Sequence, residues 1–332
     1  MSTGRFFAAL SQGAAVLPSE GRILLLGARR ESDLSWVDAD RVDIVTGFRP
    51  DFNAFRDAGY QVKTAIEGPY QGAVIELPKE KALAKSYIAD AHAALEAGYV
   101  YVDGDKKNGV ESMFKACRSR TAVSAAFSKA HGKVFSMEKS NAFAADAPKK
   151  RTQIEGGFVT APGVFSADKI DRGSAALAPF IGELKGYGAD LGGGWGYLSR
   201  HVLASDIVKG LEIVEANLAA LDCAKENIDD PRATFLWADA RDYMAKALCD
   251  FVVMNPPFHE GRVGDTSLGQ DFITAAARNL KPNGQLWVVA NRHLPYEATL
   301  EAHFRSVVEK GSDKSFKVFK ASSPYGKPRD TR

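Results

Sequence analysis

The chain has 332 residues, 45% of them hydrophobic and 25% charged, with a formal net charge of +2. That length accommodates two domains with separate cores, and the composition excludes long disorder, low-complexity tracts and fibrous repeats. Three scattered cysteines (Cys117, Cys223, Cys249) exclude a disulfide framework or a cysteine-rich zinc site, and no apolar run reaches the roughly 18–20 residues needed to span a bilayer.

The N-terminus has one early arginine and an apolar patch broken by Ser11-Gln12-Gly13, a poor signal peptide, so the cytoplasm is the expected location. The first half then runs through short strand-like pieces at Arg22–Leu26, Val42–Thr46, Tyr60–Thr64 and Gly72–Leu77. A helix follows from about Lys79 to Ala97, with Ala82, Leu83, Tyr87, Ile88, Ala91 and Leu95 on one face and Gly98 as its cap, and Tyr99–Val102 is the next strand. This alternation predicts a mostly parallel sheet covered by helices. Lys106 to Arg151 carries eleven Lys/Arg against Glu111, Glu138 and Asp146, and the tail from Lys310 is also basic; such clusters suit a polyanion, or form a solvated face. Ala144 to Gly157, with Pro148-Lys149-Lys150-Arg151, reads as a linker.

The second half repeats the order. Strands are predicted at Tyr187–Leu191, Leu211–Val214, Ala233–Trp237, Asp250–Met254 and Gln285–Ala290, with helices near Leu198–Leu203, Leu218–Asn227 and Thr266–Leu280. The segment from Gly72 to Gly104 matches that from Asp250 to Asn291, which predicts two copies of one fold. The copies differ where chemistry is expected. Gly27-Ala28-Arg29-Arg30 stands in place of the second copy's glycine cluster, and Glu76-Leu77-Pro78-Lys79 in place of Asn255-Pro256-Pro257-Phe258.

Asp190-Leu191-Gly192-Gly193-Gly194-Trp195-Gly196 leaves a strand and opens a helix, where glycines permit a tight turn and close approach of backbone to a ligand. Glu215 ends the next strand, about twenty residues beyond the turn, where an acid can accept both hydroxyls of a ribose. Asp239 follows the third strand and can accept from an adenine amine, with the Ala240 N–H nearby. Each acid alone reads more readily as a helix N-cap. Together, Asp190, Gly192, Gly194, Gly196, Glu215, Asp239 and Ala240 are the expected cofactor site, and no metal is expected. Asn255-Pro256-Pro257-Phe258 ends the fourth strand, where ligands bind in open α/β sheets, and its two prolines make a rigid turn suited to a planar amine. A nicotinamide dehydrogenase shares the glycine turn and the ribose acid but has no use for that turn.

This ordered set resembles the class I S-adenosylmethionine-dependent methyltransferases of the branch that methylates exocyclic amines. With Pro162-Gly163-Val164-Phe165-Ser166, Asp171-Arg172-Gly173-Ser174, His259-Glu260-Gly261 and Val289-Ala290-Asn291, the chain resembles bacterial small-subunit ribosomal RNA guanine-N2 methyltransferases. The first half matches too, at Leu77–Lys81 and Gly104–Lys115, so the resemblance covers nearly the whole chain. It implies two tandem Rossmann-like domains: a degenerate one over residues 1–145 that helps to bind RNA, and a catalytic one over residues 146–332. It further implies S-adenosylmethionine as cofactor and ribosomal RNA or the small subunit as partner; apart from the resemblance, a monomer without membrane association is expected. By the same resemblance the Asn255 side-chain oxygen and the Pro256 carbonyl accept the two amine hydrogens and Phe258 stacks on the base. His259 and Glu260 are rim or capping residues as readily as proton acceptors, and Arg262 is a candidate phosphate contact. Glu215 departs from the commoner aspartate, and Trp195 is bulky for a glycine turn, with room to alter how the methionine part of the cofactor is held. Adenine-N6 methylation, a protein glutamine as acceptor, and a non-catalytic RNA-binding assembly factor are the competing expectations.

Overall fold

The computed structural model describes residues 4–147, 151–257 and 267–326, and the chain divides into two compact units, residues 1–150 and 151–332. In the first, α1 (Arg5–Ser11) precedes β1 (Ile23–Leu26), β2 (Val42–Val45), α2 (Arg49–Asp57), β3 (Gln61–Lys63) and β4 (Tyr70–Glu76). There follow α3 (Lys81–Ala94), β5 (Leu95–Asp105), α4 (Val110–Arg118), β6 (Phe127–Lys129) and β7 (Gly132–Glu138). A short ribbon of β8 (Thr152–Gln153) and β9 (Val159–Thr160) opens the second, before α5 (Arg172–Leu177), β10 (Gly186–Leu191), α6 (Tyr197–Leu203), β11 (Val208–Glu215) and α7 (Leu218–Asn227). Then come β12 (Ala233–Trp237), β13 (Cys249–Met254), α8 (Ser267–Asn279), β14 (Leu280–Asn291), α9 (Glu297–His303), β15 (Phe304–Ser312) and β16 (Phe316–Pro324).

Among the described residues each unit has one seven-stranded sheet, with the same topology in both: β3-β2-β1-β4-β5-β7-β6 and β12-β11-β10-β13-β14-β16-β15. Five strands are parallel and the last two form an antiparallel edge hairpin, so the chain is two tandem Rossmann-like units. The register makes the duplication residue-specific. Leu26 pairs with Val45 and Ile75, as Leu191 pairs with Val214 and Met254.

The parallel strands read as continuous apolar runs because helices cover both faces. In the second unit Val252 and Met254 pack with Phe272, Ile273 and Leu300 on one face. Phe251 and Val253 pack with Leu177, Leu198 and Leu221 on the other. The first unit divides likewise, with Leu24 and Leu26 on one face and Ile23 and Leu25 on the other. Gly188, on the strand beside Phe251, has no side chain for a local reason: a Cβ there would lie 2.1 Å from the Phe251 ring.

One expectation about local structure changes. Gly98 does not cap a helix; α3 ends at Ala94 and Gly98 lies inside β5 with φ 105°, where a Cβ would come within 2.4 Å of the Gln71 carbonyl oxygen. Gly284 is its equivalent in β14, where a Cβ would lie 3.1 Å from the Cys249 carbonyl oxygen. In both units the glycine lets the fifth strand pass close to its neighbour. The edge hairpins were also not anticipated, because β7 and β16 mix lysines with apolar residues and read as basic text.

No helix among the described residues is long and apolar enough to cross a membrane. Phe251 is fully buried at the centre of the sheet that carries the site. Phe251→Ala should therefore destabilise the second unit by about 3–5 kcal/mol. Urea unfolding followed by tryptophan fluorescence checks this, and a loss below about 1 kcal/mol would contradict the packing described.

Candidate active site

The order of strands reverses between β10 and β13, and the carboxyl ends of both open at that switch point, the usual place for a ligand in an open α/β sheet. Around it the chain sets out four features in register: the turn after β10, Glu215 at the end of β11, Asp239 beyond β12 and Asn255 directly after β13.

The glycine turn is held open by its backbone. Gly192, Gly194 and Gly196 have φ of 73°, 57° and 92°, values at which a side chain is strained. A Cβ on Gly194 would meet nothing within 4 Å, so the turn faces free space there. Asp190 lies beneath it, fully buried. Its Oδ2 accepts from the Ser199 hydroxyl at 2.6 Å, and its Oδ1 has no partner among the described residues. Burial pushes the Asp190 carboxyl up to about 7, the Ser199 hydrogen bond opposing and the nearby Glu215 reinforcing the shift.

Glu215 uses its extra methylene to reach back into the turn. Oε2 accepts from Gly194 N at 2.8 Å and Oε1 from Asn217 N at 2.7 Å, which leaves each oxygen a further lone pair. Burial still holds its carboxyl above the ordinary range. Asp239 is engaged more fully: Arg241 donates from Nε and Nη2 at 2.6–3.0 Å and from its backbone N at 2.9 Å. A ligand amine at Asp239 must share those lone pairs with the guanidinium. Ala240 is buried in the same turn.

Trp195 does not lie open in the turn. Its ring packs on Phe158 at 5.0 Å between centroids and its Nε1 donates to the Phe165 carbonyl at 2.9 Å, tying the glycine turn to the segment that contains Pro162–Ser166.

Asn255 is half-buried, Pro256 buried and Pro257 exposed. The Asn255 amide nitrogen donates to Asp171 Oδ2 at 2.8 Å and to Ser174 Oγ at 2.9 Å. A carboxylate only accepts, so the amide can face Asp171 only with its nitrogen. Among the described residues nothing donates to Asn255 Oδ1, which is left as an acceptor. Phe258, His259, Glu260 and Arg262 lie outside the described residues.

The structure thus brings Asp190, the three glycines, Glu215, Asp239, Ala240, Asn255, Pro256 and Pro257 to one edge of one sheet. Ser199 and Arg241 join them unannounced by the sequence, and so does Ser174, which the sequence offered only as part of a resemblance motif. Ser199 leaves a signal, a hydroxyl on the buried face of α6, whereas Ser174 and Asp171 bond to Asn255 across more than eighty positions of chain.

The first unit places different groups at the same register. Arg29 stands where Gly194 does, its guanidinium 4.8 Å from the Phe48 ring centroid and 3.3 Å from Asp51. Thr46 replaces Glu215, and Glu76, accepting from the Ser32 hydroxyl at 2.6 Å, replaces Asn255.

The donor set of the second unit fits S-adenosylmethionine. A cationic ligand bearing ammonium donors matches a buried carboxylate with an unpartnered oxygen, and its ribose matches the spare lone pairs of Glu215. Fold and site together define an S-adenosylmethionine-dependent methyltransferase, and the family model described as "Methyltransferase small domain" matches residues 155–320. The ribosomal RNA small subunit methyltransferase C of Hahella chejuensis is 32% identical over 259 residues, covering 74% of this chain and 75% of that protein. The protein of that name from Acinetobacter baumannii is 28% identical over 327 residues, covering 91% and 95%. The structure of a T. thermophilus 16S rRNA N2 methyltransferase in complex with AdoMet and guanosine superposes with a TM-score of 0.76 at 26% identity, over 93% of this chain and 90% of that one. The chain belongs to the ribosomal RNA small subunit methyltransferase C family.

The buried Asp190 makes a pH test available. Free carboxylates ionise near pH 4, so between there and about 7 Asp190 retains a proton in the folded chain that it has released in the unfolded one, and its contribution to stability falls as pH rises through that window. Asp190→Asn keeps an acceptor for Ser199 and removes the ionisation. Relative to the parent, its urea midpoint should rise between pH 4 and 7 and then level off; parallel curves for the two proteins would contradict the burial argument.

Proposed function

We propose that the second unit transfers a methyl group from S-adenosylmethionine to the exocyclic N2 amine of a guanine in small-subunit ribosomal RNA. The observation that carries this reading is the Asn255 side chain, whose nitrogen is doubly held and whose oxygen meets no donor among the described residues, at the switch point and in register with the glycine turn and the ribose acid. The named relatives, and the T. thermophilus enzyme with its guanosine complex, support guanine as the base.

The bound cofactor supplies a methyl group activated by a sulfonium. The chain supplies placement. A guanine amine is a weak nucleophile because its lone pair is delocalised into the ring, so holding it in line and favouring its pyramidal form accelerate attack. Asn255 Oδ1 and the Pro256 carbonyl accept its two hydrogens, drawing density toward nitrogen as positive charge develops there. The amine loses a proton to water once the methyl is attached, so no strong base is required. Glu215 holds the ribose hydroxyls, Asp239 and the Ala240 N–H meet the adenine edge, and Phe258 stacks on the base. Gly192, Gly194 and Gly196 let the backbone approach the cofactor.

A base within a duplex cannot enter such a site, so the target guanine is looped or flipped out. The first unit, with side chains filling the positions that face the cofactor in the second, is a non-catalytic support, and its basic residues hold flanking RNA. The enzyme acts in the cytoplasm as a monomer.

Asn255→Ala should lower the transfer rate to small subunits by about 10²–10³-fold. S-adenosylmethionine affinity by calorimetry should be unchanged. Transfer at the parent rate with cofactor bound would refute the assignment.

A further inference from the structure

Asn255 can recognise an amine only while its oxygen, rather than its nitrogen, faces the substrate. An asparagine amide is nearly symmetric in shape, and the flipped rotamer would present two donors and select a carbonyl instead. We infer that Asp171, from the loop before α5, is the positioning residue that fixes Asn255 as an acceptor and so sets the site's preference for amines; this rests on the reading of Asn255 given above.

Three observations carry it. Asp171 Oδ2 takes one amide hydrogen of Asn255 at 2.8 Å and Ser174 Oγ receives the same nitrogen at 2.9 Å, so both of its hydrogens are used on the side away from the free oxygen. The same Asp171 Oδ2 accepts from Ser174 N at 2.8 Å as the N-cap of α5, so carboxylate and hydroxyl are locked to each other as well as to Asn255. Between them Gly173 has no side chain, and a Cβ there would lie 3.0 Å from Asp171 Oδ2, 3.1 Å from Phe316 and 3.4 Å from Asn255 Nδ2. The spacing of Asp171, Gly173 and Ser174 is therefore a receptor for one amide nitrogen.

The charge of Asp171 adds to the geometry. A carboxylate bonded to an amide N–H polarises the amide and makes its oxygen a stronger acceptor, and charge-assisted bonds of this kind are roughly twice as strong as neutral ones. Negative charge is then relayed through Asn255 toward the nitrogen that becomes positive during transfer.

Asp171→Ser and Asp171→Asn separate this role from capping. Serine caps α5 but is too short to reach Asn255. Asparagine can offer a carbonyl oxygen in place of Oδ2 without the charge. In the full-length enzyme with unmodified small subunits, Asp171→Ser should fold with the parent melting temperature, bind S-adenosylmethionine as the parent does, and lose about 10²-fold in kcat. Asp171→Asn should fall between the two. Single-turnover transfer should show no further loss when Asp171→Ser is added to Asn255→Ala. A parent-like kcat for Asp171→Ser, or an equal loss in both backgrounds, would overturn the inference and leave Asp171 as a helix cap. If Asn255→Ala itself kept the parent rate, the reading of Asn255 would fail first, and Asp171 with it.

Discussion

The constraint on which the site depends is the reversal of strand order between β10 and β13. Parallel strands with helices on both faces leave their carboxyl ends on a single edge, and at the reversal the connections diverge and leave a cleft. Fully buried residues such as Phe251 and Val253 fix the strand register, and the register aligns Leu191, Val214 and Met254. The residues that follow each strand therefore arrive at the cleft together although they are far apart in sequence. The chemistry is a consequence of where the apolar runs stop.

Within that cleft, polar groups are held by one another before any ligand arrives. Glu215 braces the glycine turn through Gly194, Ser199 holds one oxygen of Asp190, Arg241 clamps Asp239, and Asp171 with Ser174 holds Asn255. Each arrangement removes rotamer freedom from a group that must meet a ligand in one geometry. Asp190 is the exception in energy. Its unpartnered buried oxygen costs stability in the absence of a ligand and is relieved by one that brings donors or positive charge. The first unit has the same strands and register, but Arg29, Phe48 and Asp51 engage one another at the end that would receive a cofactor. Duplication preserved the fold, which apolar periodicity maintains, while the polar positions diverged.

What the sequence made legible follows the range of the interaction. Strands and helices built from local periodicity were readable, and α7 and β12 occupy the predicted spans. The placement of the glycine turn, Glu215, Asp239 and Asn255 at or just beyond strand ends was readable because each follows an apolar run. Gly98 was misread because a glycine after a helix is ambiguous: the Gln71 carbonyl it avoids belongs to the neighbouring strand, far from it in sequence. Arg241 and Asp171 were opaque for related reasons. Arg241 stands two residues from its partner, yet that it folds back on Asp239 is a matter of turn geometry. Asp171 is the N-cap of α5; its second bond, to Asn255, exists only because the sheet brings α5 to the end of β13.

The central claim is that the free oxygen of Asn255 receives a guanine amine. Small ribosomal subunits lacking the modification, incubated with the enzyme and cofactor labelled in the methyl group, give the direct test. After digestion and nucleoside mass spectrometry, the account predicts that the label is recovered as N2-methylguanosine. Label on the N6 of adenine, or on a ribosomal protein glutamine, would contradict it.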